Sequence, residues 1–317
     1  MSQTLKIAAA QISPVLLDRR ATLSKVSDAV SEAAQGGASL VAFGEALVPG
    51  YPFWTAVTDG ARFNAADQKE IHAEYLNQAV SIESGHLDDL CLLAKQNQIA
   101  VVLGMIERPL QRGGHTLYCC RAYIDPQGQI SSTQRKLMPT YEERLSWGIG
   151  DGNGLVVHPL GAFTVGALNC WENWMPLARS ALYAQGEDLH VAIWPGNVRN
   201  TEDITRFIAK ESRSYCLSVS GFFDKQDVPD QMRHADVMRN HADMPFANGG
   251  SCVAAPDGSW VVEPVSGKET VVIAEIDHQR VREERQNFDP SGHYSRPDVF
   301  SLHVNRERQG IAKFSDE

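Results

Sequence analysis

The chain has 317 residues, of which 43% are hydrophobic and 21% charged, and these values are typical of a globular protein rather than a disordered or fibrous one. Its 29 Lys and Arg residues against 39 Asp and Glu residues give a formal net charge of −10, which disfavours binding to nucleic-acid phosphates and to anionic membranes. No apolar window of about 18 residues is present, and the N-terminus lacks a secretory signal pattern, so we expect a cytoplasmic protein.

Alternating strands and helices are predicted along the first third of the chain. In order, the pattern predicts a strand over 5–11, a helix between Asp18 and Gly36, a strand over 39–43, helices over 65–80 and 84–97, and a strand over 99–106. A long loop rich in Pro, Gly and aromatic residues lies at 45–60. The alternation favours a layered α/β protein.

Two hairpins interrupt this alternation in the rest of the chain. Both hairpins are predicted from their turn sequences, which are Asp125-Pro126-Gln127-Gly128 and Pro256-Asp257-Gly258. The expected elements are strands over 116–124, 129–133, 154–158, 163–169, 189–194, 217–222, 251–255, 259–263 and 271–276, with a helix just after Cys170 that has Pro176 in its first turn, and another helix over 201–216. No linker or composition shift divides the chain, so we expect one domain.

Cys170 stands where a predicted strand ends and a predicted helix begins. Catalytic groups of open α/β sheets lie at such strand ends. The free N–H groups at the start of a helix favour a thiolate, which is the nucleophilic form of cysteine. An inert buried thiol is the alternative, and position alone favours it, because free cysteines are among the most buried residues.

Glu45 directly follows an apolar run and opens the aromatic loop that contains Tyr51 and Trp54. These rings would form one wall of an apolar pocket. A carboxylate beside such a wall would have a raised pKa and would serve as a base. The alternative is a solvated acid in a loop.

Lys136 lies in a segment of mixed charge that also contains Glu142, Glu143 and Arg144. A fixed ammonium there would stabilise developing negative charge, with the neighbouring acids as orienting partners. Taken alone, the segment is better explained as a mixed-charge surface loop.

Other signatures of enzyme classes are absent from the sequence. It has no Walker A loop, no dinucleotide-binding glycine motif, no HExxH and no GxSxG elbow. The six cysteines form no Cys-x-x-Cys pair and no zinc-ligand spacing with histidine. A Cys–His pair stays formally open because ten histidines are present, although no local pattern selects one.

Three segments together resemble the nitrilase, or carbon–nitrogen hydrolase, superfamily. They are residues 43–54, 135–144 and 167–179, and the resemblance extends over nearly the whole chain. Each segment alone is moderately specific for this superfamily, whereas all three in this order are highly specific for it. The Cys170-Trp171-Glu172-Asn173 motif and the run over 147–152 are similar to the true nitrilase branch rather than to amidases or carbamoylases.

The resemblance implies a Glu–Lys–Cys triad, which carries over motif by motif to Glu45, Lys136 and Cys170. It also implies a second glutamate before the arginine of the Lys-x-x-Pro-Thr-x-x-Glu-Arg pattern. That residue is Glu143 here, with Glu142 as the runner-up. The expected substrate contacts are Tyr51, Trp54, Trp147 and Trp171.

The implied fold is an αββα sandwich over residues 1–317, with a core over about 5–280. Two such domains would pair as αββααββα, in a homodimer or a larger homo-oligomer, with the segment 281–317 in the contacts between them. The implied reaction converts a small-molecule nitrile to the carboxylic acid and ammonia through a cysteine thioimidate and thioester, without a metal ion or organic cofactor.

Three rival interpretations remain. The first is another carbon–nitrogen hydrolase, which would be an amidase, a carbamoylase or a cyanide hydratase or dihydratase. The second is a nitrilase-fold binding or scaffold protein, against which the intact triad argues. The third is a papain-like hydrolase, whose Cys-Gly-x-Cys-Trp signature the sequence lacks.

Overall fold

Two β-sheets face each other in the computed structural model, which describes residues 3–312. The strands are β1 (Thr4–Gln11), β2 (Leu40–Phe43), β3 (Ala100–Glu107), β4 (Tyr118–Ile124), β5 (Ile130–Arg135), β6 (His158–Leu160), β7 (Phe163–Asn169), β8 (Leu189–Trp194), β9 (Tyr215–Ser220), β10 (Phe222–Phe223), β11 (Ala247–Ala254), β12 (Trp260–Ser266) and β13 (Thr270–Asp277). The α-helices are α1 (Arg19–Gln35), α2 (Trp54–Val57), α3 (Ala66–Gln78), α4 (Asp88–Asn97), α5 (Pro176–Tyr183), α6 (Glu202–Ser212), α7 (Ala235–Arg239) and α8 (His278–Asn287).

Each sheet has parallel strands at its centre and antiparallel strands outside them. The first sheet has the order β13-β1-β2-β3-β4-β5, and the second has the order β10-β11-β9-β8-β7-β6, with β12 paired to β11. Strands β1, β2 and β3 are parallel, as are β7, β8 and β9. The carboxyl ends of parallel strands meet at one edge of a sheet, so each sheet gathers its loops there.

Four layers follow from where the apolar side chains lie. Helices α1 and α4 cover the outer face of the first sheet, and α5 and α6 cover the outer face of the second. The two inner faces pack on each other through a continuous apolar core. Its members include Ile7, Leu40, Val102, Val165, Val191 and Leu217. This αββα order confirms the predicted fold class.

Helix α1 shows how local sequence sets these elements. The Asp18 side chain accepts a hydrogen bond from the Ala21 N–H and caps the helix start. Buried side chains then recur at steps of three and four along one face. Gly37 follows the helix with φ +81°, a conformation that suits glycine and ends the helix.

Several predicted elements are wrong in their bounds, and a strand and a helix show the physical reasons. The strand over 154–158 begins only at His158, because Gly154 lies in a single 3₁₀ turn. The helix over 201–216 ends at Ser212, since Arg213 takes a left-handed conformation with φ +50° and leads directly into β9. Among residues 3–312, no helix has the length and apolar character needed to cross a bilayer.

Candidate active site

Two strand ends, one from each sheet, bring Glu45 and Cys170 to the same edge of the sandwich. Glu45 follows β2, and Cys170 follows β7. The Glu45 N–H donates to the carbonyl of Trp194, the last residue of β8, over 3.1 Å. This bond ties the first sheet to the second beside the site.

Lys136 enters the site from the end of β5. Its backbone N–H donates to the Cys119 carbonyl over 2.7 Å. Its ammonium lies 2.8 Å from Glu45 Oε1 and 2.7 Å from Glu143 Oε2. All three side chains are buried, so the ammonium is held between two carboxylates away from water.

Glu143, and not Glu142, is the acid that contacts Lys136. Its Oε2 also accepts a hydrogen bond from the Thr140 N–H over 2.6 Å, and its Oε1 accepts one from the Tyr51 hydroxyl over 2.7 Å. Glu142 lies at the neighbouring cavity instead. The 3₁₀ turn over Tyr141–Leu145 points the two adjacent acids in different directions.

Cys170 is buried, and its sulfur lies with carboxylate oxygens of Glu45 and Glu143 in a group whose atoms are all within 4.8 Å of one another. Its backbone takes a left-handed conformation with φ +47°, which is rare outside glycine. The backbone N–H of Trp171 lowers the pKa of the thiol and so favours the thiolate.

Burial sets the protonation of these groups. It raises the pKa of the Cys170 thiol well above its usual range, with Glu45 adding to the effect and Lys136 opposing it. Burial also raises the pKa of Glu45 to about 7, against the opposing effect of Lys136. Burial lowers the pKa of Lys136, but the charges of Cys170, Glu45 and Glu143 outweigh this and keep it above its usual range. At neutral pH the sulfur is therefore a thiol that needs a base.

Glu45 has the geometry of that base. Its Oε1 accepts from Lys136, and the Cys119 thiol donates to the same oxygen over 3.4 Å. Its Oε2 is buried and has no hydrogen-bond partner within the described part of the chain. One carboxylate oxygen is therefore held by the protein and the other is free to take a proton.

The same cluster carries ligand atoms suited to a metal ion. Glu45, Glu143 and Cys170 form the one such group found among residues 3–312. The Lys136 ammonium, however, lies within 2.8 Å of both carboxylates. It already supplies the positive charge that a metal ion would bring, so this donor set fits an ammonium better than a metal.

A cavity of about 440 Å³ opens beside the site, and Tyr51, Phe53 and Phe246 contribute aromatic side chains to its lining. The Phe53 and Phe246 rings stack with centroids 5.1 Å apart. Polar groups at the same cavity include Glu142 and Arg199. The pocket therefore combines apolar walls with charged groups.

The four predicted substrate contacts lie in different places. Tyr51 lines the cavity, and Trp147 lies edge-on behind Tyr51 with ring centroids 5.5 Å apart. Trp54 is not at the cavity, because α2 turns its side chain inward against Tyr75. The Trp171 side chain points outward and is 58% exposed, so only its backbone contributes to the site.

Sequence reasoning missed two residues that brace the site. Glu172 accepts from the Leu137 N–H over 2.6 Å and from the Asn169 N–H over 2.7 Å, and so joins the segments that carry Lys136 and Cys170. Cys119, which holds Glu45, is the second. The alternation of side chains along β4 separates Cys119 from Cys120, but the sequence does not show which face meets Glu45.

The family model for carbon–nitrogen hydrolases matches residues 6–286. An aliphatic nitrilase from Rhodococcus rhodochrous is 33% identical over 313 residues, which cover 95% of this chain and 79% of that protein. Nitrilase 2 of Arabidopsis thaliana is 34% identical over 310 residues, covering 96% and 89%. An arylacetonitrilase from Macrophomina phaseolina is 33% identical over 338 residues, covering 98% and 93%.

The chain therefore belongs to the carbon–nitrogen hydrolase family, and within it to the nitrilases. The predicted family and the predicted class of enzyme, a hydrolase acting on carbon–nitrogen bonds, are confirmed.

Solved structures agree on the fold. An amidase from Nesterenkonia sp. has a TM-score of 0.63 at 17% identity and covers 89% of this chain and 94% of its own. A carbon–nitrogen hydrolase from Helicobacter pylori G27 has a TM-score of 0.64 at 17% identity, with coverage of 93% and 96%.

Proposed function

We propose that this protein hydrolyses an organic nitrile to the carboxylic acid and ammonia, R–C≡N + 2 H₂O → R–COOH + NH₃. The observation that carries the proposal is the Lys136 ammonium bound between Glu45 and Glu143 next to the Cys170 sulfur. The relatives named as nitrilases over nearly the whole chain support the choice of nitrile as substrate.

In the first half of the reaction, the Cys170 sulfur attacks the nitrile carbon. Glu45 accepts the thiol proton on its free oxygen and delivers it to the nitrile nitrogen, which gives a thioimidate. Lys136 and the Trp171 N–H stabilise the negative charge that develops on nitrogen. Glu143 keeps Lys136 in place.

In the second half, water replaces nitrogen. Glu45 removes a proton from a water molecule as the water oxygen adds to the thioimidate carbon, and it passes this proton to the nitrogen. The proton of the new hydroxyl then also moves to the nitrogen, the carbon–nitrogen bond breaks, and ammonia leaves to give a thioester. A second water, activated in the same way, attacks the thioester carbon. The carbon–sulfur bond breaks and the acid departs, while Glu45 passes the proton of the second water to the sulfur and restores the Cys170 thiol.

The aromatic cavity beside Tyr51 is the proposed binding site for the R group. Its volume of about 440 Å³ is that of a small-molecule pocket. Of the four predicted substrate contacts, Tyr51 would contact the R group directly. Trp147 would act through its packing against the Tyr51 ring.

The second candidate is a different carbon–nitrogen hydrolase, such as an amidase, because the same cysteine and acid would also attack an amide carbon. A panel of aliphatic, arylaliphatic and aromatic nitriles, with the matched amides and cyanide, separates the two when both ammonia and acid are measured. Nitriles should give acid and ammonia in equal amounts. Turnover of amides alone would overturn the proposal.

We also propose a homodimer that pairs through the helical layer of α5 and α6. Trp174, Leu177 and Phe207 are large apolar side chains there with 49–68% of their surface exposed, which is typical of an interface. The segment 281–317 would add contacts, supported by the exposed Phe300, although residues 313–317 lie outside the described part. Sedimentation of the wild type and of Leu177→Asp tests the pairing, since only the variant should be a monomer.

The cytoplasm remains the proposed compartment. All six cysteines are free thiols, as expected where reducing systems keep disulfides from forming.

A further inference from the structure

A line of buried polar side chains runs from the second sheet to the backbone of Cys170. The Asn173 amide nitrogen donates to the Cys170 carbonyl over 2.8 Å and to the Leu168 carbonyl over 3.3 Å. His190, on β8, places its Nε2 2.8 Å from Asn173 Oδ1, and its Nδ1 lies 2.9 Å from Glu187 Oε1. Asn173, His190 and Glu187 are completely buried.

The hydrogen bonds fix where the protons are. Asn173 uses its amide nitrogen on two carbonyls, so its oxygen faces His190 and must accept from Nε2–H. The contact between Nδ1 and Glu187 then needs a proton of its own. Either an imidazolium donates to a carboxylate, or a carboxylic acid donates to a neutral ring. In both cases the Glu187 side chain keeps the hydrogen on Nε2 and so keeps Asn173 in its orientation.

The peptide that Asn173 holds is the one between Cys170 and Trp171. A planar trans peptide carries its C=O and N–H on opposite sides. A bond that fixes the Cys170 carbonyl therefore also fixes the direction of the Trp171 N–H, the group that lowers the pKa of the Cys170 thiol. The bond further supports the left-handed conformation of Cys170, at φ +47°, which surrounding structure must hold.

We propose that Glu187, His190 and Asn173 form a positioning relay that aims the Trp171 N–H at the reacting atoms. None of the three lines the cavity. They would act on the rate of the chemical steps rather than on substrate binding. The proposal rests on the proposed role of Cys170 as nucleophile.

Two variants break the relay and one preserves it. Asn173→Asp removes the donor to the Cys170 carbonyl, and kcat should fall by about 10²-fold, the usual loss when one such donor is misplaced. Glu187→Leu removes the control over the His190 tautomer, and kcat should fall by about tenfold. Glu187→Gln still offers an N–H to Nδ1, so kcat should stay within about twofold of wild type. KM should change little in all three.

His158→Gln is the matched control. His158 is also a buried histidine of the second sheet, stacked on Tyr123 at 3.9 Å and bonded to Ser132, with no contact to the relay. Its replacement should lower the melting temperature without lowering kcat. A similar loss of kcat in His158→Gln, or a Glu187→Gln variant as impaired as Glu187→Leu, would show a general packing effect and overturn the relay.

Alkylation of Cys170 by iodoacetamide, followed by peptide mass spectrometry, tests the relay without any substrate. Asn173→Asp should slow alkylation at pH 7 by about tenfold, because the thiolate loses its aimed N–H donor. An unchanged alkylation rate would overturn the relay. If the wild type hydrolyses no nitrile while this slowing is still seen, the proposed substrate is wrong and the relay stands.

Discussion

The two strand ends that build the site hold their reactive residues in different ways. The Glu45 backbone bonds Trp194, and its reactive carboxylate is also held directly, because Lys136 and Cys119 both bind Oε1. Cys170 is held by its backbone, through the bond from Asn173 to its carbonyl and through a left-handed φ. The Trp171 backbone N–H lowers the pKa of the Cys170 thiol.

This difference separates two kinds of control. Contacts to a carboxylate change the relative energy of its charged and neutral forms, and so they set the pH range in which it works as a base. The contact to the Cys170 carbonyl acts on the nucleophile indirectly, because it sets the orientation of the Cys170 backbone and of the neighbouring Trp171 N–H. Loss of the Cys119 contact to Glu45 should therefore shift the pH profile, whereas loss of the Asn173 contact to the Cys170 carbonyl should lower kcat.

The largest expected effect comes from Cys170→Ala. The sulfur is the proposed nucleophile, so turnover of the best nitrile should fall by at least about 10⁴-fold, out of the 10⁶-fold or larger accelerations typical of enzymes. Circular dichroism should show an unchanged fold. Ammonia release within about tenfold of wild type would rule out Cys170 as the nucleophile.

Glu45→Gln and Lys136→Ala should each lower kcat by about 10²–10⁴-fold, because they remove the base and the fixed ammonium. Their effects should not multiply, since groups that act as a unit fail together. The double variant should be about as slow as the slower single variant. Losses that multiply would mean that the two residues act independently.

The ionisation of Glu45 should set the rising limb of the wild-type pH profile. Only the ionised carboxylate accepts a proton, and burial raises its pKa to about 7. The kcat/KM of the wild type should therefore increase as the pH is raised through about 7, and it should be low at more acidic pH. This rising limb should be missing from the residual activity of Glu45→Gln, and its persistence there would assign it to another group.

Glu143→Gln should lower kcat by about 10–10²-fold, because the amide no longer balances the charge of Lys136. Glu142→Gln is the neighbouring control and should stay within about twofold, since Glu142 lies at the cavity and not at the ammonium. Steady-state assays of the two variants give the ranking. The reverse ranking would contradict the assigned roles of the two acids.

The smallest expected effect is that of Cys119→Ala. The Cys119 thiol donates to Glu45 and lowers its pKa, so the rising limb should move to higher pH by less than about one pH unit. Cys120→Ala is the control, because that side chain packs in the apolar core under α1 and α4 on the opposite face of β4. Equal shifts in both variants would show that the thiol contact is unimportant.

Two short strands and the three residues of the proposed triad could be predicted from the sequence. Strands β7 and β8 have the predicted bounds, because short apolar runs between turn residues admit few other structures. Glu45, Lys136 and Cys170 could be selected because each lies in a motif of the family. The structure brings all three together with Glu143.

Other parts depend on packing between distant segments. The relay partner His190 lies 17 residues from Asn173, and Cys119 lies 74 residues from Glu45. No local pattern pairs such residues. The orientation of Trp54 was missed for the same reason, since the turn into α2 and the position of Tyr75 decide it.

Mass spectrometry of the protein quenched in acid during turnover tests the central claim most directly. A nitrile substrate should leave an added mass equal to its thioimidate or its acyl thioester, and peptide mapping should place that mass on Cys170. Cys170→Ala should carry no such adduct. An adduct on Cys119 or another residue, or turnover by Cys170→Ala without one, would contradict the assignment of Cys170 as the nucleophile.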